Sequence, residues 1–175
     1  MFSETKELYE NSIIGLLKEH EIQFDITQHE SKAFSCEDVA RERRVRLSQV
    51  LKCLVCSDRD GNTYILLIPG DKFLKIKEVR RLTDGLKIDL MSHENLGELF
   101  DVIVGAISPL QFLGTAKFFM DKAVLNEEFI DISSGSPNAG FKLKTSDLVA
   151  LIEPVIDDIT STRPYLDTKT TETLR

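Results

Sequence analysis

The chain of 175 residues has no long apolar segment and few cysteines, and both absences exclude classes of protein. No run approaches the roughly 18 uninterrupted apolar residues of a membrane-spanning helix, and the charged N-terminus does not resemble a secretory signal. Three cysteines are too few to staple a chain of this length with disulfides. We therefore expect a cytoplasmic protein that has no membrane association.

Signature motifs of the common enzyme classes are also missing. The sequence contains no nucleophile elbow, P-loop, dinucleotide fingerprint or paired-histidine zinc motif. Cys53 and Cys56 have half of a zinc-ligand spacing, but no second pair of cysteines or histidines follows them. On a strand, residues three apart point to opposite faces. We therefore expect two buried cysteines, and neither a bound metal nor a cofactor.

The composition is typical of a globular protein, and helical and strand patterns alternate along the chain. Apolar residues are 42% of the chain and charged residues 29%, which suffices for a core and a solvated surface. The pattern predicts one α+β domain over residues 1–159, opened by an N-terminal helix, and a flexible tail over 160–175. Ser35 followed by Asp38 predicts the start of a helix. The apolar segment from Val102 to Ile107 is expected to form a strand.

Charge is distributed unevenly along the chain. The formal net charge is −7, which disfavours sequence-independent binding of nucleic acid. Residues 41–87 nevertheless carry 12 basic and 6 acidic side chains, a net of +6, whereas the remainder carries 10 basic and 23 acidic ones, a net of −13. The basic segment is either a chance cluster on a solvated face or the part of the protein that meets an anionic partner.

Three features are candidate binding elements, and each has an ordinary alternative. Lys52 opens an otherwise apolar strand, where its side chain either extends to solvent or points into a cleft. The loop from Gly105 to Pro109 either exposes backbone N–H groups to a small anion or carbonyl oxygen, or is a plain turn. Ser134 and Gly135 end a β-rich run, where a glycine permits close approach by a ligand or simply makes a turn.

The order of these features resembles a known family. Six short segments occur in the same order as in the YbaK/ProRS-associated domain family of aminoacyl-tRNA editing domains, and the resemblance covers residues 16–159. The segments are Val50-Leu-Lys-Cys-Leu54, Ile68-Pro-Gly-Asp71, Val104-Gly-Ala-Ile-Ser-Pro109, Phe119-Met-Asp121, Ile132-Ser-Ser-Gly135 with Gly140, and Ser146-Asp-Leu148.

This resemblance implies a mixed, partly barrel-like β-sheet surrounded by helices, and hydrolysis of the ester between a wrong amino acid and its tRNA. It implies catalytic roles for Lys52, which would anchor a phosphate or carbonyl of the terminal nucleotide, and for Gly105, whose loop would hold the developing oxyanion. The other substrate-binding residues that it implies are His29, Ala106, Ile107, Ser108, Pro109, Ser134 and Gly135.

The chain departs from the family pattern at three positions of the pocket wall. Cys53 stands where threonine is usual, Ala106 where glycine is usual, and Glu30 where proline is frequent. The amino acid removed therefore stays open among small side chains such as alanine and cysteine, with the tRNA for proline as one candidate carrier. The alternative function is a non-catalytic module of the same fold that binds an aminoacyl or nucleotide ligand.

The resemblance also predicts which anionic partner the basic segment over residues 41–87 contacts. We expect the acceptor end of an aminoacyl-tRNA to bind here, and an aminoacyl-tRNA synthetase is a second candidate partner. Phosphate contacts require a positively charged surface. The cations expected to contact the tRNA lie on the predicted basic helix, and they are Lys75, Lys77, Arg80 and Arg81.

Overall fold

The computed structural model describes residues 2–163 of the chain, with side chains from residue 11 onward. This part contains five α-helices and ten strands. The helices are α1 (Phe2–Glu19), α2 (Cys36–Arg43), α3 (Ile76–Leu82), α4 (His93–Phe100) and α5 (Thr145–Ile152). The strands are β1 (Phe24–Gln28), β2 (Leu51–Ser57), β3 (Thr63–Pro69), β4 (Phe73–Leu74), β5 (Asp89–Leu90), β6 (Lys117–Asp121), β7 (Phe129–Ser133), β8 (Ala139–Lys144), β9 (Val155–Asp157) and β10 (Thr160–Ser161).

Two main sheets form the framework. The larger is mixed, with the order β5-β2-β3-β6-β9, in which β3, β6 and β9 run parallel and β2 runs antiparallel to β3 and β5. The smaller is antiparallel, with the order β1-β8-β7, and a two-stranded ladder joins β4 to β10. The α+β class predicted from the sequence is confirmed.

A single parallel bridge between Val50 and Asp131 connects the two main sheets within the described chain. It brings the beginning of β2 against β7, so the sheets wrap around a shared core and do not close into a continuous barrel. Residues of the larger core cluster come from both sheets and from α1, α4 and α5, while a second cluster lies under α3 on the other face of the mixed sheet.

Strand β2 shows how alternation divides its side chains between these two cores. Leu51 and Val55 are buried in the larger cluster, and Cys56 is buried in the second. Cys53 packs against the larger cluster and therefore points away from Cys56. Cys56 is buried, as expected, whereas Cys53 is partly buried, and burial raises the pKa of both thiols. No group of metal-ligating side chains occurs within residues that the structure describes.

Local sequence signals place several element boundaries correctly. Ser35 caps α2 by accepting the backbone N–H of Asp38 at 3.1 Å, and Ser92 caps α4 in the same way. The Asp58 carboxylate closes the β2–β3 hairpin by accepting backbone N–H groups two and four residues later. No helix in the described part of the chain is long and apolar enough to cross a membrane.

Two sequence expectations differ from the structure. The segment from Val102 to Ile107 is a loop and not a strand, because Gly105 has φ +86° and the N–H of Ala106 folds back onto Ile103. Thr160–Ser161, assigned to the tail by the sequence pattern, pair with β4. The rest of that tail, residues 164–175, lies outside the described residues.

Candidate active site

Two of the predicted elements, the Gly105 loop and the strand that carries Lys52, lie on either side of the segment 34–36 at the N-terminal end of α2. Phe34 is 51% exposed, and its ring lies against the Gly105 loop. A Cβ added to Gly105 would lie 3.1 Å from Cδ1 of the Phe34 ring and 3.2 Å from the Phe34 carbonyl oxygen. Because Gly105 also has φ +86°, a glycine is needed there both for conformation and for this contact.

Cys36 connects the same segment to Lys52. Burial raises the pKa of the Cys36 thiol, and the nearby Lys52 ammonium opposes that shift. Cys36 also packs on the end of the β2–β3 pair, since a Cβ added to Gly70 would lie 3.1 Å from the Cys36 Cβ. The segment 34–36 therefore touches the Gly105 loop on one side and the Lys52 region on the other.

Ser133 joins the remaining two predicted elements. Its hydroxyl donates to the carbonyl oxygen of Ala106 at 2.7 Å and accepts the N–H of Gly135 at 3.3 Å. Lys52 and Ser133 each follow the Val50–Asp131 bridge by two residues, which places them at the same junction of the two sheets. The structure thus joins the Gly105 loop to the Gly135 turn through Ser133, and it brings the backbone of β2 near Lys52 to the same junction of the two sheets.

The ammonium of Lys52 lies in a small apolar pocket on the face of the mixed sheet that carries the second core cluster, beside Leu54 and Leu74. It donates to the carbonyl oxygen of Lys72 at 3.1 Å and lies 5.8 Å from the centre of the Phe73 ring. Ile68 and Leu90 also line the pocket. Among the described residues, no hydrogen bond joins Lys52 to the Gly105 loop. A lysine has four rotatable bonds, so its charge can be redirected without moving the strand.

The Gly105 loop offers alternate rather than consecutive backbone donors. The N–H of Ala106 donates to the Ile103 carbonyl at 2.9 Å, and that of Ser108 donates to Oε1 of Gln111 at 2.9 Å. The N–H groups of Gly105 and Ile107 have no hydrogen-bond partner within residues 2–163. These two donors are therefore the ones that the loop can present to a ligand.

Several predicted binding residues are interior to the protein. Ser108 and Ser134 are fully buried, and Pro109 is buried where it opens the 3-10 helix Pro109–Phe112. Ser134 donates through its hydroxyl to the Ala139 carbonyl at 3.1 Å, which closes the β7–β8 turn. In the described chain, the Ser108 hydroxyl has no partner. These side chains shape the wall behind the exposed Gly105.

His29 is engaged at both ring nitrogens. Its Nε2 accepts from Nε of Arg43 at 3.4 Å, and its Nδ1 lies 2.5 Å from the carbonyl oxygen of Ser31. His29 thus links Arg43 of α2 to the loop that follows β1, at the edge of the candidate site.

Comparison with known proteins identifies the family. The family described as "Aminoacyl-tRNA editing domain" matches residues 30–151, a range that includes every element of the site described above except His29. The chain belongs to the aminoacyl-tRNA editing domain family. The comparison with curated proteins gave no match.

Solved structures show the same fold for this editing domain. A hypothetical protein, APE2540, matches with a TM-score of 0.78 at 22% identity, over 85% of this chain and 99% of that one. A proposed trans-editing enzyme for prolyl tRNA synthetase matches with a TM-score of 0.76 at 19% identity, over 87% of this chain and 97% of that one. A scaffold protein used for epitope grafting matches with a TM-score of 0.77 at 18% identity, over 87% of this chain and 97% of that one.

The basic helix of the editing domain is α3, and carboxylates balance most of its cations. Arg80 pairs with Asp89 at 2.6 Å, and Arg81 pairs with Glu78 and more distantly with Asp157. Lys75, which precedes the helix, pairs with Asp158 at 2.9 Å, and Lys77 lies exposed on the helix surface. The side chains predicted to contact tRNA are therefore grouped together, and they share that surface with acidic partners.

Sequence patterns missed four residues of this site: Phe34, Cys36, Ser133 and Arg43. An exposed phenylalanine in a polar segment was the one local signal for Phe34. Ser133 lies within the Ile132–Gly135 segment, but its bond to the Ala106 carbonyl, 27 residues away, has no local signal. The burial of Arg43 has none either. The buried guanidinium of Arg43 forms an ion pair with the buried carboxylate of Asp131, 88 residues away.

Proposed function

We propose that this editing domain is an aminoacyl-tRNA deacylase, which hydrolyses the ester of a mischarged tRNA in the cytoplasm. The observation that carries the proposal is the family match over residues 30–151, supported by the hydrogen bonds of Ser133 that join the Gly105 loop to the Gly135 turn beside the beginning of β2. We further propose a small amino acid, such as alanine or cysteine, as the group removed. The tRNA for proline is its first candidate carrier, and the trans-editing neighbour supports that choice.

In this mechanism, the N–H groups of Gly105 and Ile107 stabilise the oxyanion that forms when water attacks the ester carbonyl. Both donors are free in the described chain, and backbone donors fixed in a rigid loop act without reorganisation in the transition state. Lys52 supplies the positive charge, which anchors a phosphate or the carbonyl of the terminal nucleotide. Redirecting its side chain from the Lys72 carbonyl towards the substrate would accompany binding.

The attacking water needs a proton acceptor that the site does not supply through His29. Both nitrogens of that imidazole are engaged, one by Arg43 and the other at the Ser31 carbonyl. An aminoacyl-adenosine itself carries a ribose hydroxyl and an amine next to the ester, and either can take this role. We propose that one of these groups positions the water, so that turnover depends on the aminoacyl-adenosine end of the tRNA.

The size limit of the pocket would come from its wall. Ala106 is 2% exposed and its carbonyl is held by Ser133, so a larger residue there would push into the Gly105 loop. Phe34 covers the other side of the same glycine. A pocket of fixed size separates amino acids differing by one methylene by about 1–3 kcal/mol. We therefore propose that bulky amino acids are rejected by exclusion.

For the rest of the tRNA, we propose contact with Lys75, Lys77, Arg80 and Arg81. A phosphate can displace the exposed carboxylates from these cations at small cost, because exposed ion pairs contribute only about 0–1 kcal/mol. The acidic remainder of the chain would limit unspecific binding to other nucleic acids.

The test is deacylation of a panel of mischarged tRNAs by the purified protein. We expect at least one small aminoacyl ester to be hydrolysed well above the spontaneous rate, and Lys52→Ala to lose that activity. The matched control is Lys117→Ala. Lys117 is exposed and pairs with Tyr64 at one end of β3, whereas Lys52 pairs with Ile68 near the other end. Hydrolysis of none of the esters, with tRNA still bound, would instead establish the non-catalytic binding module.

A further inference from the structure

Arg43 lies beneath the β7–β8 turn, where its guanidinium is surrounded by protein. Its side chain is only 2% exposed, and Nη1 is paired with the Asp131 carboxylate. Nη1 also lies 3.4 Å from the Ile132 carbonyl oxygen, and Nη2 donates to the Ala139 carbonyl oxygen at 2.7 Å. One guanidinium therefore contacts both strands of the hairpin that carries the turn.

Gly140 makes room for this arrangement. A Cβ at Gly140 would lie 1.8 Å from Nη1 and 2.3 Å from Cζ of Arg43, far inside contact distance. The guanidinium thus occupies the space in which residue 140 would otherwise place a side chain. Because Nη1 and Nη2 are bonded to Asp131 and to carbonyls of both strands, the guanidinium cannot shift without breaking these contacts.

The two carbonyls that Arg43 binds flank the turn of the candidate site. Ile132 directly precedes Ser133, whose hydroxyl connects the Ala106 carbonyl to the N–H of Gly135. At the other end of the turn, the Ala139 carbonyl also accepts from the backbone and hydroxyl of Ser134. Displacement of either carbonyl would therefore move Ser133 and, through it, the Gly105 loop.

The outer side of Arg43 is held as well. Its Nε donates to Nε2 of His29 at 3.4 Å, and the backbone N–H of His29 donates to the Asn138 carbonyl at 2.9 Å. The side-chain amide of Asn138 returns a hydrogen bond to the His29 carbonyl. Arg43 thus connects α2, the end of β1 and both strands of the β7–β8 hairpin.

We propose that Arg43 is a positioning residue, which fixes the turn over residues 133–139 in the geometry needed for the reaction at the Gly105 loop. The proposal rests on the deacylase function proposed above. Arg43 is buried and touches no substrate. It acts through the Ile132 and Ala139 carbonyls, and Asp131 neutralises its charge.

A lysine cannot replace this arginine in the proposed role. Lysine keeps the positive charge opposite Asp131, but it presents a single ammonium in place of the planar fork that reaches two carbonyls and an imidazole. Arg43→Lys therefore separates charge compensation from positioning. Gly140→Ala separates charge compensation from positioning in a second way. It keeps the positive charge of Arg43 opposite Asp131, but its added Cβ displaces the guanidinium.

The experiment measures kcat and KM for deacylation, together with hydrogen exchange at the Ser134 and Ala139 amides. We expect Arg43→Lys and Gly140→Ala to lower kcat by about 10²-fold, the cost of misplacing reacting groups by an ångström. KM should change less than about threefold, and both turn amides should exchange faster. The control is Arg41→Lys, an exposed residue on the same helix, for which neither measurement should change.

Unchanged kcat and unchanged turn exchange in a folded Arg43→Lys protein would overturn the positioning role. A rise in KM alone would overturn it too, since that would indicate a binding effect. If the wild-type protein hydrolyses none of the esters, the deacylase proposal fails separately. Exchange at the two turn amides then still decides whether Arg43 fixes the turn, because it is measured without substrate.

Discussion

The buried ion pair beneath the site and the ion pairs around α3 have the same chemistry in opposite surroundings. Arg43 and Asp131 are 2% and 1% exposed, and neither can exchange its partner for water. Arg81 is 60% exposed and shares its charge between two carboxylates. Burial makes the first pair a fixed part of the framework, whereas exposure leaves the second free to accept a phosphate instead.

This contrast follows from desolvation. Removing one member of a buried pair leaves an uncompensated charge in the interior, which is strongly destabilising. An exposed ion pair gains little over hydration, so breaking it costs little. The Asp131 carboxylate shows the same effect, because burial raises its pKa although Arg43, His29 and Lys142 act in the opposite direction.

The largest effect is expected from Arg43→Met. This substitution leaves the Asp131 carboxylate buried without a partner, and we expect the free energy of unfolding to fall by about 3–5 kcal/mol. Urea denaturation measures it. Adding Asp131→Leu to the same protein should recover part of the stability, since both charges are then gone. A decrease below about 1 kcal/mol in the single variant would show that the pair behaves like a surface one.

A smaller decrease in stability is expected from Gly140→Ala. The added Cβ overlaps the Arg43 guanidinium, and overpacking of this kind costs about 1–3 kcal/mol. Gly97→Ala in α4 is the matched control, because no heavy atom lies within 4 Å of its added Cβ. In a helix, that change should raise stability by up to about 1 kcal/mol. Equal effects at the two glycines would contradict the close packing of Arg43.

Charge reversal at Arg80 and Arg81 tests the exposed side of the comparison. We expect the Glu double variant to bind tRNA more weakly, and the salt dependence of binding to fall by about one unit of slope for each phosphate that is no longer neutralised. Filter binding over a range of salt concentrations measures this slope. Lys144→Glu, an exposed change at the end of β8, should leave the slope unaltered. An unaltered slope in the double variant would remove α3 from the tRNA surface.

The smallest effect is expected in the pH dependence of stability, through the surface carboxylate of Asp58. The side-chain amide of Asn62, together with Tyr64 and two backbone N–H groups, lowers the pKa of Asp58 from 3.8 to about 2. Because the folded-state pKa is depressed, its stabilising contribution is present above pH 3.8 and is lost as the pH falls to about 2. The stability difference between wild type and Asp58→Asn should therefore shrink over that range. A constant difference would contradict the assignment.

Local patterns predicted most of the fold. The cap at Ser35 and the opposite faces of Cys53 and Cys56 on β2 each depend on neighbouring residues, and each was confirmed. The short strands β9 and β10 depend on distant partners. They are held where the buried carboxylate of Asp121 accepts the N–H of Ile159 at 2.8 Å, which no local pattern indicates.

The segments of the candidate site could be selected from the sequence only through the family resemblance. Lys52, Gly105 and Gly135 carry motif signals, whereas Arg43 looks like one more cation of an exposed helix. Its burial arises because Gly140, distant in sequence, lacks a side chain. The same limit applies to the Val102–Ile107 segment, whose apolar composition resembles a strand and whose backbone turns at Gly105.

Single-turnover deacylation by Lys52→Met and Lys117→Met proteins, on the best ester found in the tRNA panel, tests the central claim most directly. Lys52 lies at the sheet junction beside Cys36, and Lys117 lies exposed at the far end of the same sheet. The account predicts that Lys52→Met slows hydrolysis by about 10²-fold while Lys117→Met leaves it unchanged. Equal rates for the two folded variants would contradict it.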